Sequence, residues 1–470
     1  MLEFSPELNI AIIIIAAVFS ITVLWWISKQ TSTGTGIAIV ALACLVVAVV
    51  WVAGGKDFDL LGQGEKSARP PPAATETAKA NGERNTAQPP AVDAKPREAA
   101  PDDGLASGKP VAPRPEVNER RIVALEQEKW DVVPIYYGTD RARKDAEKRI
   151  AYGTDRGRRL EIGRAMVTIP KNHKVPNIER PWVYKLPFTS IVLFAEKEDP
   201  EKHFTMRELA ALTKEEFARL ARERISAAKL FPGHALLFVH GFNTTFDYAV
   251  FRAAQLSYDL KFDGGSFVYS WPSRGEVSPT GYSADRESAE QAEQFLSEFV
   301  TLVAKQTGAT SLTVIAHSMG NKLLLPVLRN FNQRNDVDVK ISQLILAAPD
   351  VDRDTFEGLA KQIDGIAKGI TLYAAANDIA LDVSRQFWGG VPRAGDIPET
   401  GPLVVPGIDT IDITATKTEY FSLNHTGYAE KTELLSDIRS LMVQGYQPPK
   451  TRLPSLIEVP TQVGAYWKFP

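Results

Sequence analysis

The sequence predicts an α/β fold, in which a mostly parallel central sheet is covered by helices on both faces. From residue 235 onward, apolar segments of five to seven residues alternate with longer stretches of helical periodicity, such as Arg286–Lys305. Short apolar runs of this kind are typical of strands buried on both faces, and their alternation with helices is typical of a parallel sheet. The predicted strands are Ala235–Val239, Ser266–Ser270, Ser311–Ile315, Gln343–Ala347, Gly369–Ala374 and Ile408–Ile413, with a last helix at Tyr428–Val443.

Further elements are predicted before this alternating region. The additional strands are Val132–Tyr137, Arg164–Pro170 and Ser190–Phe194. Thr213 and Glu216 have the spacing of a capping box, which predicts that a helix begins there. The segment Tyr137–Arg141 recurs almost unchanged as Tyr152–Arg156, and we interpret the two copies as similar turns.

The segment with the most functional information is Leu312–Asn321. Its β-branched run ends at Ala316-His317-Ser318-Met319-Gly320, and a helix-compatible run follows. A serine between small residues on a sharp strand-to-helix turn is the nucleophile elbow of α/β-hydrolases. The turn crowds the strand against the helix, so small side chains are needed on either side. The sequence therefore predicts Ser318 as a nucleophile.

A second turn is expected to stabilise the negative charge that develops in such a reaction. The strand at residues 235–239 ends in the turn 240–243, whose backbone N–H groups would face the elbow. We expect the oxyanion hole to consist of the backbone N–H groups of Met319 and Phe242, with Asn243 as the alternative to Phe242.

His425 is the predicted general base. The chain has six histidines, and the other five are His173, His203, His234, His240 and His317. The first three precede the elbow, the fourth is expected to brace the oxyanion turn, and the fifth adjoins the serine and points off the turn. His425 follows the last predicted strand and matches the chain order nucleophile, acid, histidine.

Asp378 is the predicted triad acid, because it falls in the turn just after the strand at residues 370–375. A carboxylate there would accept a hydrogen bond from the histidine and stabilise the imidazolium. Three other carboxylates stay open as alternatives. They are Asp350 and Asp352, which follow the preceding strand, and Asp382.

Composition excludes several classes of function. The chain has 470 residues, of which 44% are hydrophobic and 24% charged, as in an ordinary globular domain with appendages. A net charge of −3 gives no reason to expect a nucleic-acid partner. The single cysteine, Cys44, lies in an apolar segment, and the histidines are scattered. We therefore expect no disulfide, no thiol nucleophile, no metal and no cofactor.

The N-terminus predicts membrane attachment. Residues 8–27 and 36–53 are two apolar stretches without charge, each close to the ~20 residues that cross a bilayer. Residues 1–55 are therefore predicted to hold two transmembrane helices of a bacterial inner-membrane protein. The few flanking positive charges leave the side of the catalytic domain open.

The residues that follow are predicted to form a tether and a catalytic domain. Residues 56–119 are rich in Pro and Ala and predict a disordered tether, with a reach of about 40–45 Å. Residues 120–470 are predicted to form the catalytic domain and a C-terminal tail.

Several segments between residues 132 and 425 also carry a family resemblance. They are Pro134–Arg141, Gly163–Pro170, His240–Asn243, Ala316–Asn321, Ala347–Asp350 and Asn377–Leu381. With these segments the chain resembles a bacterial α/β-hydrolase family of the esterase/lipase superfamily, of the domain-of-unknown-function type. The resemblance implies the α/β-hydrolase fold with Ser318 as nucleophile, Asp378 as acid and His425 as base. Gly138 stands where the family pattern has alanine.

Together these features predict a membrane-anchored serine hydrolase that acts on carboxylic esters. An acyltransferase or amidase would use the same triad, and a catalytically silent binding module would share the fold. Attachment to a bilayer favours lipid or envelope-associated esters as substrates. Phe387 and Trp388, in the loop after Asp378, would either border an acyl pocket or serve ordinary loop packing.

Overall fold

The computed structural model describes residues 128–145, 150–185, 192–275, 278–334, 339, 341–376, 378, 381, 384–385, 389–416, 431–446 and 448–470. All of them belong to one compact unit, Pro110–Pro470. The two predicted transmembrane segments and the predicted tether lie outside the described residues. Within the described ranges, no helix combines the length and the apolar character needed to cross a bilayer.

Between residues 234 and 374, strands and helices alternate as the sequence pattern predicts. The strands are β1 (Trp130–Asp145), β2 (Ile150–Pro170), β3 (Val183–Lys185), β4 (Val192–Ala195), β5 (Thr205–Ala211), β6 (His234–Val239), β7 (Gly265–Ser270), β8 (Ser311–His317), β9 (Ile341–Ala347), β10 (Ala367–Ala374), β11 (Asp409–Asp412), β12 (Ile457–Thr461) and β13 (Gly464–Lys468). The helices are α1 (Lys214–Ser226), α2 (Phe246–Asp259), α3 (Pro279–Gln306), α4 (Met319–Gln333), α5 (Arg353–Gln362), α6 (Lys431–Gln444) and α7 (Pro449–Arg452), with a 3₁₀ turn at Thr414–Thr416.

Eleven of these strands form one sheet in the order β12-β13-β11-β10-β9-β8-β6-β7-β1-β2-β5. Neighbouring strands from β13 to β1 are parallel, and the outer pairs β12–β13, β1–β2 and β2–β5 are antiparallel. After β6 the chain forms β7 on one side, then crosses to form β8 on the other. The crevice at the carboxyl ends of β6 and β8 is therefore a switch point, where open α/β sheets bind ligands.

Helices cover both faces of the sheet, as predicted. On one face, α1, α3, α4 and α5 contribute Phe217, Phe299, Leu324 and Phe356 to a large apolar core. The other face has a second core that includes residues of α2 and α6. The predicted capping box is present at α1, where the Thr213 side chain accepts from the Glu216 amide. An N-cap side chain of this kind typically stabilises the folded protein by ~1 kcal/mol.

The two copies of the Tyr-Gly-Thr-Asp-Arg segment are not turns, so this prediction was wrong. Tyr137–Arg141 lies within β1, and Tyr152–Arg156 lies within β2. The strands pair antiparallel, and Arg141 of the first copy lies opposite Arg156 of the second. The rings of Tyr137 and Tyr152 meet edge to face at 5.5 Å, with their hydroxyls 3.1 Å apart.

The ends of the sheet also differ from the sequence pattern. The C-terminal tail adds β13 beside β11 and β12 at the edge of the sheet, and Phe469 is buried. β5 was not predicted, because its half-exposed residues show no clear alternation. The predicted strand at Ser190–Phe194 is found as β4, but it pairs only with β3 in a separate two-stranded sheet.

His173 ties the segment between β2 and β3 to the end of α2. Its ring nitrogens lie 2.8 Å from a Glu179 carboxylate oxygen and 3.0 Å from one of Asp259. Burial by itself would lower the pKa of His173. Hydrogen bonds and charge interactions with Asp259 and Glu179 outweigh burial and raise this pKa to about 9. The charged imidazolium therefore joins two separate parts of the domain.

Candidate active site

Ser318 is the single residue between the end of β8 and the start of α4. Its backbone has φ 50° and ψ −120°, a conformation that costs a non-glycine residue roughly 1–3 kcal/mol. Backbone hydrogen bonds hold the turn. The Ser318 amide donates to the Ala347 carbonyl at 2.9 Å, and the Ser318 carbonyl accepts from Asn321 and Asp350. The Ser318 hydroxyl makes no capping hydrogen bond to the helix that it precedes.

Glycines allow the neighbouring turn to approach this elbow. A Cβ atom at Gly320 would lie 2.6 Å from the His240 carbonyl oxygen, and one at Gly241 would lie 2.9 Å from the Ser318 Cβ. Both distances are shorter than real Cβ contacts allow. The small residues that the elbow pattern requires are thus explained by the close packing of the β6 turn against the β8 turn.

Asn321 is a supporting residue that sequence reasoning missed. Its buried Nδ2 donates to the carbonyls of Ala316 and Ser318, both at 3.1 Å, and to that of Ala347 at 3.4 Å. One side chain thus fixes the strand before the elbow, the elbow itself and the end of the adjacent strand. The only signal in the sequence was its place directly after the elbow pentapeptide.

The structure distinguishes between the two predicted donors in the oxyanion turn. The Asn243 amide donates to the Asp285 carboxylate at 3.3 Å, and Asn243 itself has φ 55°. In the described part of the chain, the Phe242 amide has no such acceptor. Met319 is the first residue of α4, where a helix leaves backbone N–H groups without an intrahelical partner. The amides of Phe242 and Met319 therefore stay the predicted oxyanion donors.

A buried network holds the oxyanion turn from behind. Asp285, which has no exposed surface, accepts from the Asn243 amide, the Ser273 hydroxyl and the Arg274 amide. Burial raises the pKa of the Asp285 carboxyl. The Ser273 hydroxyl in turn accepts from the Thr244 amide at 3.0 Å. Asp285 thus links the turn to the segment after β7.

Arg141 completes this network, and it too was missed by sequence reasoning. Its guanidinium donates to the Thr244 carbonyl at 2.7 Å, the Ser273 carbonyl at 3.0 Å and the Ser270 hydroxyl at 2.9 Å. Burial lowers the pKa of Arg141 to about 10, so the side chain stays charged at neutral pH. The last residue of the repeated segment therefore supports the oxyanion turn.

The two histidines near the elbow are not placed to act as bases. His240 stacks on Trp271 with ring centroids 4.9 Å apart, and its Nδ1–H donates to the Gly241 carbonyl at 2.8 Å. Burial lowers the pKa of His240 well below its usual value and that of His317 to about 3. His240 therefore braces the oxyanion turn in its neutral form, as expected.

The candidate acids have different surroundings. Asp378 is half-buried just beyond β10, where it accepts from the Leu381 amide at 3.1 Å. Asp350 is buried and receives two hydroxyl hydrogen bonds of 2.6 Å, from Tyr282 and Ser384. Asp352 caps α5 by accepting from the Thr355 amide. Asp350 and Asp352 therefore have structural partners of their own.

The structure thus brings the Ser318 elbow, the oxyanion turn and Asp378 to the carboxyl edge of one sheet. The predicted base His425 lies outside the described residues, and so do Asp382, Phe387 and Trp388. Among the residues that are described, no group of three or more His, Cys, Asp or Glu side chains has a metal-binding arrangement.

Comparison with protein families gives the same architecture. Residues 219–443 match the family described as "Alpha/beta hydrolase of unknown function (DUF900)". The matched range includes the oxyanion turn, the elbow and the parallel strands β6 to β11. The protein has the α/β-hydrolase fold. The family match supports a hydrolase. No curated protein is significantly similar to this chain in sequence.

Several solved structures are similar to this chain, all at low sequence identity. The ydeN gene product of B. subtilis is 15% identical over 36% of this chain and 87% of that chain, with a TM-score of 0.21. A predicted CIB-like hydrolase from Thermoplasma acidophilum is 13% identical over 45% and 84%, with a TM-score of 0.24. An inhibited esterase B from Lactobacillus rhamnosis is 10% identical over 58% and 90%, with a TM-score of 0.27. Likenesses at this level say nothing about activity.

Proposed function

We propose that this α/β-hydrolase is a serine hydrolase that cleaves carboxylic esters through an acyl-enzyme. The observation that carries the proposal is the strained backbone of Ser318, at φ 50° and ψ −120°, at the switch point of the sheet. Strain of this size persists only where the surrounding structure enforces it, and it is common at functional sites. Here it presents a hydroxyl that takes no part in capping α4.

In the proposed reaction, the Ser318 Oγ attacks the acyl carbon while His425 takes its proton. The backbone N–H groups of Met319 and Phe242 stabilise the oxyanion of the tetrahedral intermediate. His425 then returns the proton to the departing alcohol, which leaves an acyl group on Ser318. Water, activated by the same histidine, releases the acid and restores the serine. Asp378 holds the imidazole and stabilises its charged form.

The assignment of Asp378 as acid is favoured by its position in the chain. The Asp350 carboxylate is occupied by two hydroxyls and lies 3.3 Å from the Arg393 guanidinium. The Asp352 carboxylate accepts from the amide and the hydroxyl of Thr355 at the start of α5. Asp378 also has a local contact, with the Leu381 amide, so its position is what favours it: it follows β10, next to β11, after which His425 comes in the chain.

We further propose that the enzyme is anchored in a bilayer by residues 8–27 and 36–53 and acts on membrane-proximal esters. The support is in the sequence, since both stretches lack charge and approach the length of a spanning helix. An anchor of this kind would keep the catalytic domain near lipids and acylated envelope components.

The proposal is tested by labelling the full chain with a fluorophosphonate, which reacts with activated serines. We expect stoichiometric labelling of the wild type and none of Ser318→Ala, with hydrolysis of p-nitrophenyl butyrate lost in parallel. Ser257→Ala is the matched control, because Ser257 is a buried serine on α2 that hydrogen-bonds Ser266. It should label and turn over like the wild type. Equal activity of wild type and Ser318→Ala would instead favour a binding module.

A further inference from the structure

A small hairpin exposes an unusual concentration of apolar side chains. It consists of residues 182–184 and 192–195, around the paired strands β3 and β4. We call this set the apolar hairpin. Six large apolar residues in it are between 46% and 66% exposed, and they are Trp182, Val183, Tyr184, Val192, Leu193 and Phe194. Soluble domains rarely leave such a contiguous apolar patch in water unless it binds something.

The exposure involves both faces of the hairpin. Val183 and Tyr184 are consecutive in β3, so their side chains point to opposite faces, yet they are 50% and 54% exposed. β4 shows the same behaviour, since all four of its residues are exposed. The other exposed large apolar residues of the described chain are dispersed, as on most protein surfaces.

The base of the hairpin is fixed to the domain. The Arg180 guanidinium lies over the Phe251 ring of α2 at 4.5 Å and donates to the Phe204 carbonyl. It also pairs with Glu198 on the returning segment. The Trp182 carbonyl accepts from the Glu196 amide at 2.9 Å, which closes the hairpin at its root. The apolar residues are thus held out from the domain by an ordered support.

We propose that the apolar hairpin inserts into the interfacial layer of a phospholipid bilayer. A single protein surface would cover one face of the hairpin, whereas a bilayer surrounds both. Trp and Tyr are the residues enriched at the depth of the lipid headgroups, because their rings are apolar and their tips polar. A two-stranded sheet has open edges whose backbone groups cannot enter hydrocarbon, so the insertion is shallow.

The surrounding charges favour apolar insertion over attraction to anionic lipid. Two basic residues near the root are paired with carboxylates, Arg180 with Glu198 and Lys202 with Asp199. Binding is therefore expected to persist at high salt and on zwitterionic lipid. The proposal rests in part on the proposed anchor, which would keep the domain within about 40–45 Å of the membrane. The hairpin would then fix which side of the domain faces the lipid.

The test uses the full chain, which has only one cysteine. In a Cys44→Ser background, Phe194→Cys is labelled with an environment-sensitive NBD fluorophore and mixed with phosphatidylcholine vesicles. We expect a severalfold rise in NBD emission and a shift to shorter wavelength, retained at high salt. Lipids with a doxyl quencher near the headgroup should quench this emission more than lipids with the quencher at the chain end. Val463→Cys, at a 65% exposed site in the hairpin between β12 and β13, is the control and should not respond.

Each other outcome overturns the proposal. A probe at residue 194 that behaves like the one at residue 463 means that the hairpin stays in water. A spectral shift without lipid that grows with protein concentration means that a second copy covers it. Flotation of the chain with vesicles reports membrane attachment by either segment, and fluorophosphonate labelling of Ser318 in detergent reports the hydrolase function. Failure of the hairpin proposal is thereby distinguished from failure of the proposed function.

Discussion

Replacing Asp285 by Asn tests whether the network behind the oxyanion turn positions the turn for catalysis. Asp285 is fully buried and accepts hydrogen bonds from the amides of Asn243 and Arg274 and from the Ser273 hydroxyl. Asparagine has nearly the same shape, but one of its two terminal atoms donates instead of accepting. The amides of Asn243 and Arg274 donate to different oxygens of Asp285, so the asparagine can accept from only one of them. Where its amide nitrogen faces Asn243, the adjoining oxyanion turn is no longer held on that side.

The size of the effect follows from these contacts. A buried donor left without an acceptor costs about 1–3 kcal/mol of stability. Loss of a whole oxyanion donor typically lowers kcat by about 10²–10³-fold. Because the Phe242 amide would be displaced and not removed, we expect Asp285→Asn to lower kcat by about 10–100-fold. KM should change little, since the oxyanion exists only in the transition state and intermediate.

The assay is steady-state hydrolysis of p-nitrophenyl butyrate beside a thermal unfolding curve. The matched control is Asp437→Asn, since Asp437 is also buried and accepts from the Tyr373 hydroxyl and the Arg452 guanidinium, both at 2.6 Å. It should lose at least as much stability while kcat below its unfolding temperature stays near that of the wild type. If the two variants lose kcat equally, or if Asp285→Asn changes only KM, the positioning role is wrong.

Three further predictions concern the acid, the elbow and pH. Asp378→Asn should lower kcat by up to roughly 10⁴-fold, because asparagine favours the wrong histidine tautomer. Asp350→Asn should mainly lower the melting temperature. An inactive Asp350→Asn variant together with an active Asp378→Asn variant would reverse the assignment of the acid. Gly320→Ala places a Cβ 2.6 Å from a carbonyl oxygen of the oxyanion turn, so we expect a loss of about 1–3 kcal/mol of stability in chemical denaturation and at least tenfold in kcat. The pKa of His173 is raised from 6.5 to about 9, so its contribution to stability is complete below pH 6.5 and lost as pH rises through 9. In His173→Gln the unfolding free energy should fall less over this pH range than it does in the wild type. An unchanged pH dependence would show that the imidazolium contributes nothing to stability.

The elements that could be predicted from the sequence are those that depend on neighbouring residues in the chain. The buried strands around β8 can be predicted because each is a short apolar run between helical stretches. The hydrophobic period and the length of such a run can be found in the sequence without knowing the rest of the fold. The start of α1 is visible because Thr213 and Glu216 satisfy each other's backbone groups within one turn. The elbow at Ser318 is visible because its geometry requires small residues at fixed positions, which are present as Ala316 and Gly320.

Tertiary structure alone decided the features that join distant parts of the chain. Arg141 reaches the Thr244 carbonyl across 103 positions of sequence, and Asp285 reaches the Asn243 amide across 42. The two Tyr-Gly-Thr-Asp-Arg copies lie in strands and not in turns because β1 and β2 pair along most of their length, with Tyr137 opposite Gly163 and Arg141 opposite Arg156. The apolar sequence of β4 predicts a buried strand, yet its residues are exposed, and in the described part of the chain β4 pairs only with β3. In each case the structure depends on which groups come into contact in space. A local pattern of residues carries no information about a partner that lies far away in the chain.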